Sequence, residues 1–341
     1  MKTVGAAGPI EIKTELKFKT GERRRQFDLE WSIMLDQTTN GTPLVVAETL
    51  VDRGGKAPKS LVTGDVEEWE DRQVHSEVDA TEVSPVTNPR QLAFEAFVDA
   101  NRYPGLAWLN RTLSGINVLG AISTAPEWAR ADLAQQSPRD TMVIGPKDFL
   151  DRQGLGLANA LYGLFTEHAD AWEQLERAFR AEFPFVRRIT FPADAGGSKI
   201  SFAIEDSRFP ARKLYASELS DGMISLLCLL TAVLQPNQSA VLALDEPDAN
   251  LHPSALRRFM SLAHKEHRHR RLAIVTHSTA LLDELQDPAK SIRIVEPGKD
   301  GAVVRRVDKD ALTAWLKTYS LSELRQTGLL DAPNTGAANA E

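Results

Sequence analysis

Two short apolar runs flank one amphipathic segment late in the chain, and this pattern limits the possible folds more than any other feature. Residues 241–244 read Val-Leu-Ala-Leu, and residues 272–275 read Leu-Ala-Ile-Val. Such short runs without polar alternation fit strands covered on both faces, as in a parallel sheet. Between them, residues 253–265 set Leu256, Phe259, Met260 and Ala263 on one helical face. Pro253 suits the first helical position, where its missing N–H costs nothing. Strand, helix, strand within a span of about 35 residues is a βαβ unit, which makes the two strands parallel through a right-handed crossover.

The first strand delivers Asp245 and Glu246 at its C-terminal end, followed by Pro247. The carboxyl ends of the strands are where open α/β sheets bind ligands. One carboxylate there can hold Mg²⁺ and the next can orient an attacking water, the two tasks that phosphoryl transfer requires. An apolar strand that merely ends in two acids is the competing reading. The second strand leads into Thr276-His277-Ser278, so its tip lies beside the first. His277 can then reach the same ligand and hydrogen-bond a phosphate or water; a capping histidine without chemistry is the alternative. Upstream, Leu219-Ser220-Asp221-Gly222 precedes an apolar segment, 221–234, that reads as a helix. Ser220 suits the N-cap, Gly222 permits close backbone approach, and free N–H groups at a helix start favour phosphate. Taken alone, that segment also describes an ordinary capped helix.

The rest of the chain differs in texture. Residues 10–18, 27–35 and 43–51 carry alternating or β-prone runs, punctuated by Gly21, Asn40-Gly41 and Gly54-Gly55, which is hairpin chemistry. Residues 89–113 and 156–183 read as helices, with Leu161, Leu164 and Phe165 on one face and Trp172, Leu175 and Phe179 following. Residues 201–204, 291–295 and 302–307 read as strands. The division expected is an antiparallel β subdomain at 1–85, a helical insertion at 86–187, an α/β core at 188–331 and a disordered tail at 332–341.

Composition excludes several classes. A net charge of −7 argues against a generally basic nucleic-acid binder. The single cysteine, Cys228, rules out a disulfide framework and fits a reducing compartment. No export signal is visible, and the longest apolar run, 223–234, is shorter than the roughly 20 residues a membrane helix needs. The expected location is the cytoplasm. The basic run 265–271 reads as the solvated end of a helix rather than a phosphate contact, and His264, His267 and His269 lack the further ligands of a metal site. Trp108, Trp128 and Trp172 read as core rather than a base-stacking platform.

In order along the chain, Leu-Ser-Asp-Gly, Leu-Asp-Glu-Pro and Thr-His-Ser resemble the signature, Walker B and H-loop motifs of ABC-like ATPases. The resemblance is strongest over 214–282 and points to the AAA family ATPases related to RecF and SMC heads. That group has Asp where Asp221 stands here, a segment after Walker B like Asp248-Ala249-Asn250-Leu251-His252-Pro253, and an ending similar to residues 319–330. It implies a P-loop NTPase-like α/β fold: a parallel sheet core with an N-terminal antiparallel β region and a helical insertion. It implies ATP hydrolysis with Mg²⁺ on Asp245, Glu246 as base or water-positioner, and His277 as switch histidine. Ser220 and Gly222 would meet the γ-phosphate of ATP held by a second protomer. Asp248 and Asn250 would lie at the interface of an ATP-sandwiched homodimer, coupled to DNA repair or to a defence-type effector protein.

One expected element is missing. A phosphate-cradling Gly-x-x-x-x-Gly-Lys-Ser/Thr occurs nowhere in these 341 residues. Gly54-Gly55-Lys56-Ala57-Pro58 has no Gly-Lys-Ser/Thr step, and Gly298-Lys299-Asp300 also fails. The expectation is therefore a start placed too late or a decayed or split copy of the gene, with a partner chain that supplies the P-loop as the alternative, and weak ATP binding by this chain on its own. The contrasting expectation is an inactive head that serves as an interaction module for a complete P-loop ATPase.

Overall fold

A computed structural model describes residues 10–19, 26–37, 43–55, 57–64, 72–79, 81–126, 129–130, 136–145, 150–192, 197–236, 241–266, 271–298 and 301–330. The chain forms two compact units, Met1–Ser114 and Gly115–Glu341. This division does not coincide with boundaries near 86 and 188. The tail at 332–341, Trp128 and the core of the basic run, 267–270, lie outside the described residues.

In the first unit, six strands follow one another as an antiparallel meander: β1 (Ile10–Lys19), β2 (Gln26–Gln37), β3 (Pro43–Asp52), β4 (Lys59–Thr63), β5 (Gln73–His75) and β6 (Val83–Pro85). The hairpin reading of the first three strands holds. Period-two alternation sends Leu29, Trp31 and Ile33 of β2 inward, where they join Leu50, Leu61, Val74, Phe94 and Leu106 in one core. The segment 89–113, expected as one helix, is two: α1 (Ala93–Ala96) and α2 (Pro104–Ser114). Asp99 breaks it by capping a turn through Asn101 N–H at 2.9 Å, and Pro104 restarts the helix. Gly54 and Gly55 sit in the β3–β4 connection, ahead of a strand rather than a helix.

The second unit holds a three-stranded parallel sheet in the order β14 (Arg271–Val275), β13 (Val241–Asp245), β7 (Ile116–Leu119). β13 and β14 run in register from Val241 opposite Arg271 to Asp245 opposite Val275, as the βαβ pattern requires. β7 was not anticipated; it pairs in parallel with β13 from within the span expected as a helical insertion, between the two segments read as helices. Leu242 and Leu244 point into the main core, while Val241, Ala243 and Asp245 take the opposite face.

Helices α3 (Leu157–Glu167), α4 (Ala169–Glu182), α5 (Asp221–Leu234) and α6 (Pro253–Glu266) contribute to the same core. α3 and α4 replace one expected helix because His168, at φ −136° and ψ 67°, leaves the helical region. α5 is buried at every residue from Met223 to Leu234, as befits a helix apolar all round. Trp172 lies in this core, and Trp108 packs against the core of the first unit.

Short strands complete the unit. β8 (Met142–Val143) pairs with β10 (Lys199–Ile200), and β11 (Ala203–Asp206) lies between β9 (Val186–Thr190) and β12 (Lys213–Tyr215). β15 (Arg293–Gly298) and β16 (Gly301–Arg306) form a separate hairpin, with Gly298 at its turn. Around it, α7 (Thr279–Leu282), α8 (Pro288–Ser291), α9 (Lys309–Trp315) and α10 (Leu321–Gln326) frame a small core built on Ile294, Leu312 and Leu324. Among the described residues, no helix is long and apolar enough to cross a membrane.

Candidate ATPase site

The tips of β13 and β14 place the acidic pair and the histidine together. The ladder continues one step past the strand, where Glu246 N–H donates to the Val275 carbonyl at 2.8 Å. The chain then turns sharply, with Glu246 at φ +49°, a left-handed conformation that a non-glycine residue adopts only under local constraint. The turn is closed by Ala249 N–H to the Glu246 carbonyl, and Asn250 takes φ +65°. This brings Glu246 Oε1 to 3.5 Å from His277 Nε2, beyond an ordinary hydrogen bond and close enough for a bridging contact. His277 is 83% exposed and Glu246 38%, so both side chains are open to a ligand. Asp245 is exposed at the strand end.

Thr276 joins the two tips more firmly. Its Oγ1 donates to Asp248 Oδ1 at 2.5 Å and accepts from Ser278 N–H at 2.9 Å. Thus Asp248 sits against the loop that carries His277. Residue-by-residue reading of the sequence gave Thr276 no role, because the contact depends on the neighbouring strand tip.

The start of α5 meets the same loop. Ser220 is its N-cap, with Oγ accepting from Met223 N–H at 3.3 Å. A Cβ on Gly222 would stand 2.8 Å from the Asn250 carbonyl oxygen, so glycine is needed there for intrachain packing. Ser225, Leu229, Leu119, Gly120 and Ile122 line a small crevice with Glu246 and Asn250. Asp245, Glu246, His277, Asp248, Asn250 and Gly222 therefore form one connected cluster with Ser220 at its edge.

A buried arginine that the sequence did not single out, Arg139, also reaches the start of α5. Its Nη1 donates to the carbonyls of Ala216 (2.8 Å) and Leu219 (2.5 Å), its Nε to the Thr124 carbonyl (2.5 Å), and its Nη2 to Asp221 Oδ1 (2.6 Å). No local pattern around 136–140 could have revealed this.

The parallel sheet thus presents paired acids and a histidine at adjacent strand tips, beside a glycine-containing helix start. Residues 51–283 match the domain family described as "AAA domain, putative AbiEii toxin, Type IV TA system", and the chain belongs to that family of ABC-like AAA ATPase domains. No curated protein matches the sequence. Among solved structures, the SMC head domain from Thermotoga maritima is 11% identical, covering 82% of this chain and 74% of that one, with a TM-score of 0.34. An SMC head bound to the C-terminal winged-helix domain of ScpA is 10% identical, with coverages of 85% and 77% and a TM-score of 0.37. An SMC ATPase described for ATP-driven dimerisation and DNA-stimulated activation is 14% identical, with coverages of 45% and 92% and a TM-score of 0.33. At these TM-scores the likenesses carry no argument; the fold rests on strand order, register and the family match.

Proposed function

We propose that this chain is an ATP-hydrolysing head that pairs with a second copy of itself around ATP and Mg²⁺. Asp245 holds the Mg²⁺, Glu246 accepts the proton of the attacking water or orients it, and His277 hydrogen-bonds the same water or the γ-phosphate. Ser220 and Gly222 meet the γ-phosphate of ATP on the other copy, and Asp248 and Asn250 lie at that interface. The observation that carries this reading is the 3.5 Å approach of His277 to Glu246 at the ends of adjacent parallel strands.

The donor chemistry suits Mg²⁺. Asp245 offers a hard, exposed oxygen, and Mg²⁺ bound with a triphosphate needs only one or two carboxylates from protein. When bound, Mg²⁺ neutralises charge on the phosphate oxygens.

A second reading rests on the absence of Gly-x-x-x-x-Gly-Lys-Ser/Thr from these residues. Here the chain is an interaction module that docks on a complete P-loop ATPase. One experiment separates the two: solution mass of Glu246→Gln with and without ATP and Mg²⁺. An ATP-dependent doubling supports the head. An unchanged mass, with recovery of a P-loop ATPase partner that Glu246→Ala does not disturb, supports the module. The process served is DNA repair or a defence response in the cytoplasm, and the toxin–antitoxin wording of the family description favours defence. Stimulation of turnover by added DNA would reverse that preference.

A further inference from the structure

We propose that Arg139 is the positioning residue of the signature segment, fixing the backbone that leads into α5 and neutralising Asp221 so that an anion can approach Ser220 and Gly222. The inference rests on the ATP-head reading for the identity of that anion, and on geometry alone for the fixing of the backbone.

The geometry is unusual for a helix start. Acids suit the first turn of a helix and cations oppose its dipole, yet a guanidinium that is 3% exposed stands there. It is balanced by the three carbonyls of Thr124, Ala216 and Leu219 and by Asp221. Two of those carbonyls belong to the entry itself. Residues Ala216–Glu218 form a 3₁₀ turn, and Leu219 is extended at φ −72° and ψ 155°. Holding both carbonyls stops this entry from winding into α5, and so fixes where Ser220 caps the helix.

Asp221 gives the second half of the argument. It lies between Ser220 and Gly222 and is 52% exposed. An uncompensated carboxylate at that place repels a phosphate through like charge. The fork of Arg139 cancels the charge from the buried side and leaves the exposed side free. Arg139 reaches Asp221 across 82 residues, from the segment that follows β7. A cation set against the local helix rule, yet with every nitrogen hydrogen-bonded, is the kind of inconsistency expected at functional places.

The test uses the full chain in a Glu246→Gln background, with Arg139→Gln, Asp221→Asn, the double variant and Arg139→Lys. Light scattering with ATP and Mg²⁺ reads dimer affinity, and hydrogen–deuterium exchange reads residues 216–223. Arg139→Gln should weaken the dimer about tenfold or more, and the double variant should recover most of that loss because the stray charge is gone. A purely structural arginine predicts no such rescue. Arg139→Lys keeps the charge, so it should dimerise close to the parent while exchange at 216–223 rises through loss of the fork. The proposal is overturned if Arg139→Gln dimerises like the parent, if the double variant is no better than Arg139→Gln, or if Arg139→Lys is as impaired as Arg139→Gln. Should the parent show no ATP-dependent dimer, the ATP-head reading fails, and exchange alone decides the fixing role. Protection of 216–223 unchanged in both Arg139 variants then overturns it.

Discussion

Gly222 packs the start of α5 closely against the turn that follows β13. Its Cα faces the Asn250 carbonyl, and an added Cβ would lie 2.8 Å from that oxygen, which belongs to backbone and cannot swing aside. Gly222→Ala should therefore push the Glu246–Asn250 turn as well as the start of α5, and lower stability by about 1–3 kcal/mol as overpacking does. Thermal unfolding checks this; an unchanged melting temperature would mean that the loop yields freely. Cys228 is the opposite kind of residue. It is fully buried in α5, and burial pushes its thiol well above the ordinary range, with Asp151 adding to the effect. A thiol that stays protonated and enclosed does not attack. Ellman's reagent should leave the native chain unreacted and label one thiol on unfolding in urea. Prompt labelling of the native chain would contradict this packing.

At the scale of elements, the buried pair Glu48 and Arg72 shows how the first unit holds its sheet to its helices. Glu48 on β3 accepts from Trp31 Nε1 (3.2 Å), Arg72 Nη1 (3.2 Å) and the Ala93 N–H that opens α1 (2.9 Å). Arg72 also donates to the carbonyls of Asn88 (2.7 Å) and Gln91 (2.9 Å). Removing one partner strands the other charge, so Arg72→Met should cost roughly 3–5 kcal/mol by denaturant unfolding. Burial raises the Glu48 carboxyl above its ordinary range, although its hydrogen bonds and Arg72 pull the other way. The folded state then keeps a proton that the unfolded state releases, so stability falls as pH climbs from the usual carboxylate value through the raised one. Glu48→Gln should flatten that slope, and a slope that persists would assign it elsewhere. Such links explain what the sequence could and could not disclose. α5 was legible to its end residues, because its largely apolar run, interrupted only by Ser225 and Thr231, follows a capping serine. β13 and β14 were legible within one residue at each end, and with them the acids and the histidine. β7 was not, because Ile116-Asn117-Val118-Leu119 carries a polar residue and finds its partner only in β13. Arg139 and the Thr276–Asp248 bond were hidden for the same reason: their meaning lies in contacts far along the chain.

For the molecule as a whole, each of the two compact units has a core of its own, and among the described residues the two cores share no residue. The first is built on Leu29, Leu50, Leu61 and Leu106, and the second on α5 with Phe179, Phe202 and Phe259. Cooperativity follows shared packing, so two cores predict more than one unfolding step rather than a single two-state transition. Calorimetry should give a total enthalpy larger than the van't Hoff enthalpy of either step. Substitutions assign the steps. Arg72→Met acts on the first core and should lower one transition, while Phe179→Ala, which empties a wholly buried site at a cost of about 3–5 kcal/mol, should lower the other. ATP and Mg²⁺ make a third probe, since a ligand raises the stability only of the folded unit that binds it. The acids, the histidine and the start of α5 all lie in the second unit, so ATP should raise the transition that Phe179→Ala lowers and leave the other in place. If one transition responds to all three perturbations, the units fold as one body, and the ATPase site draws its stability from the entire chain.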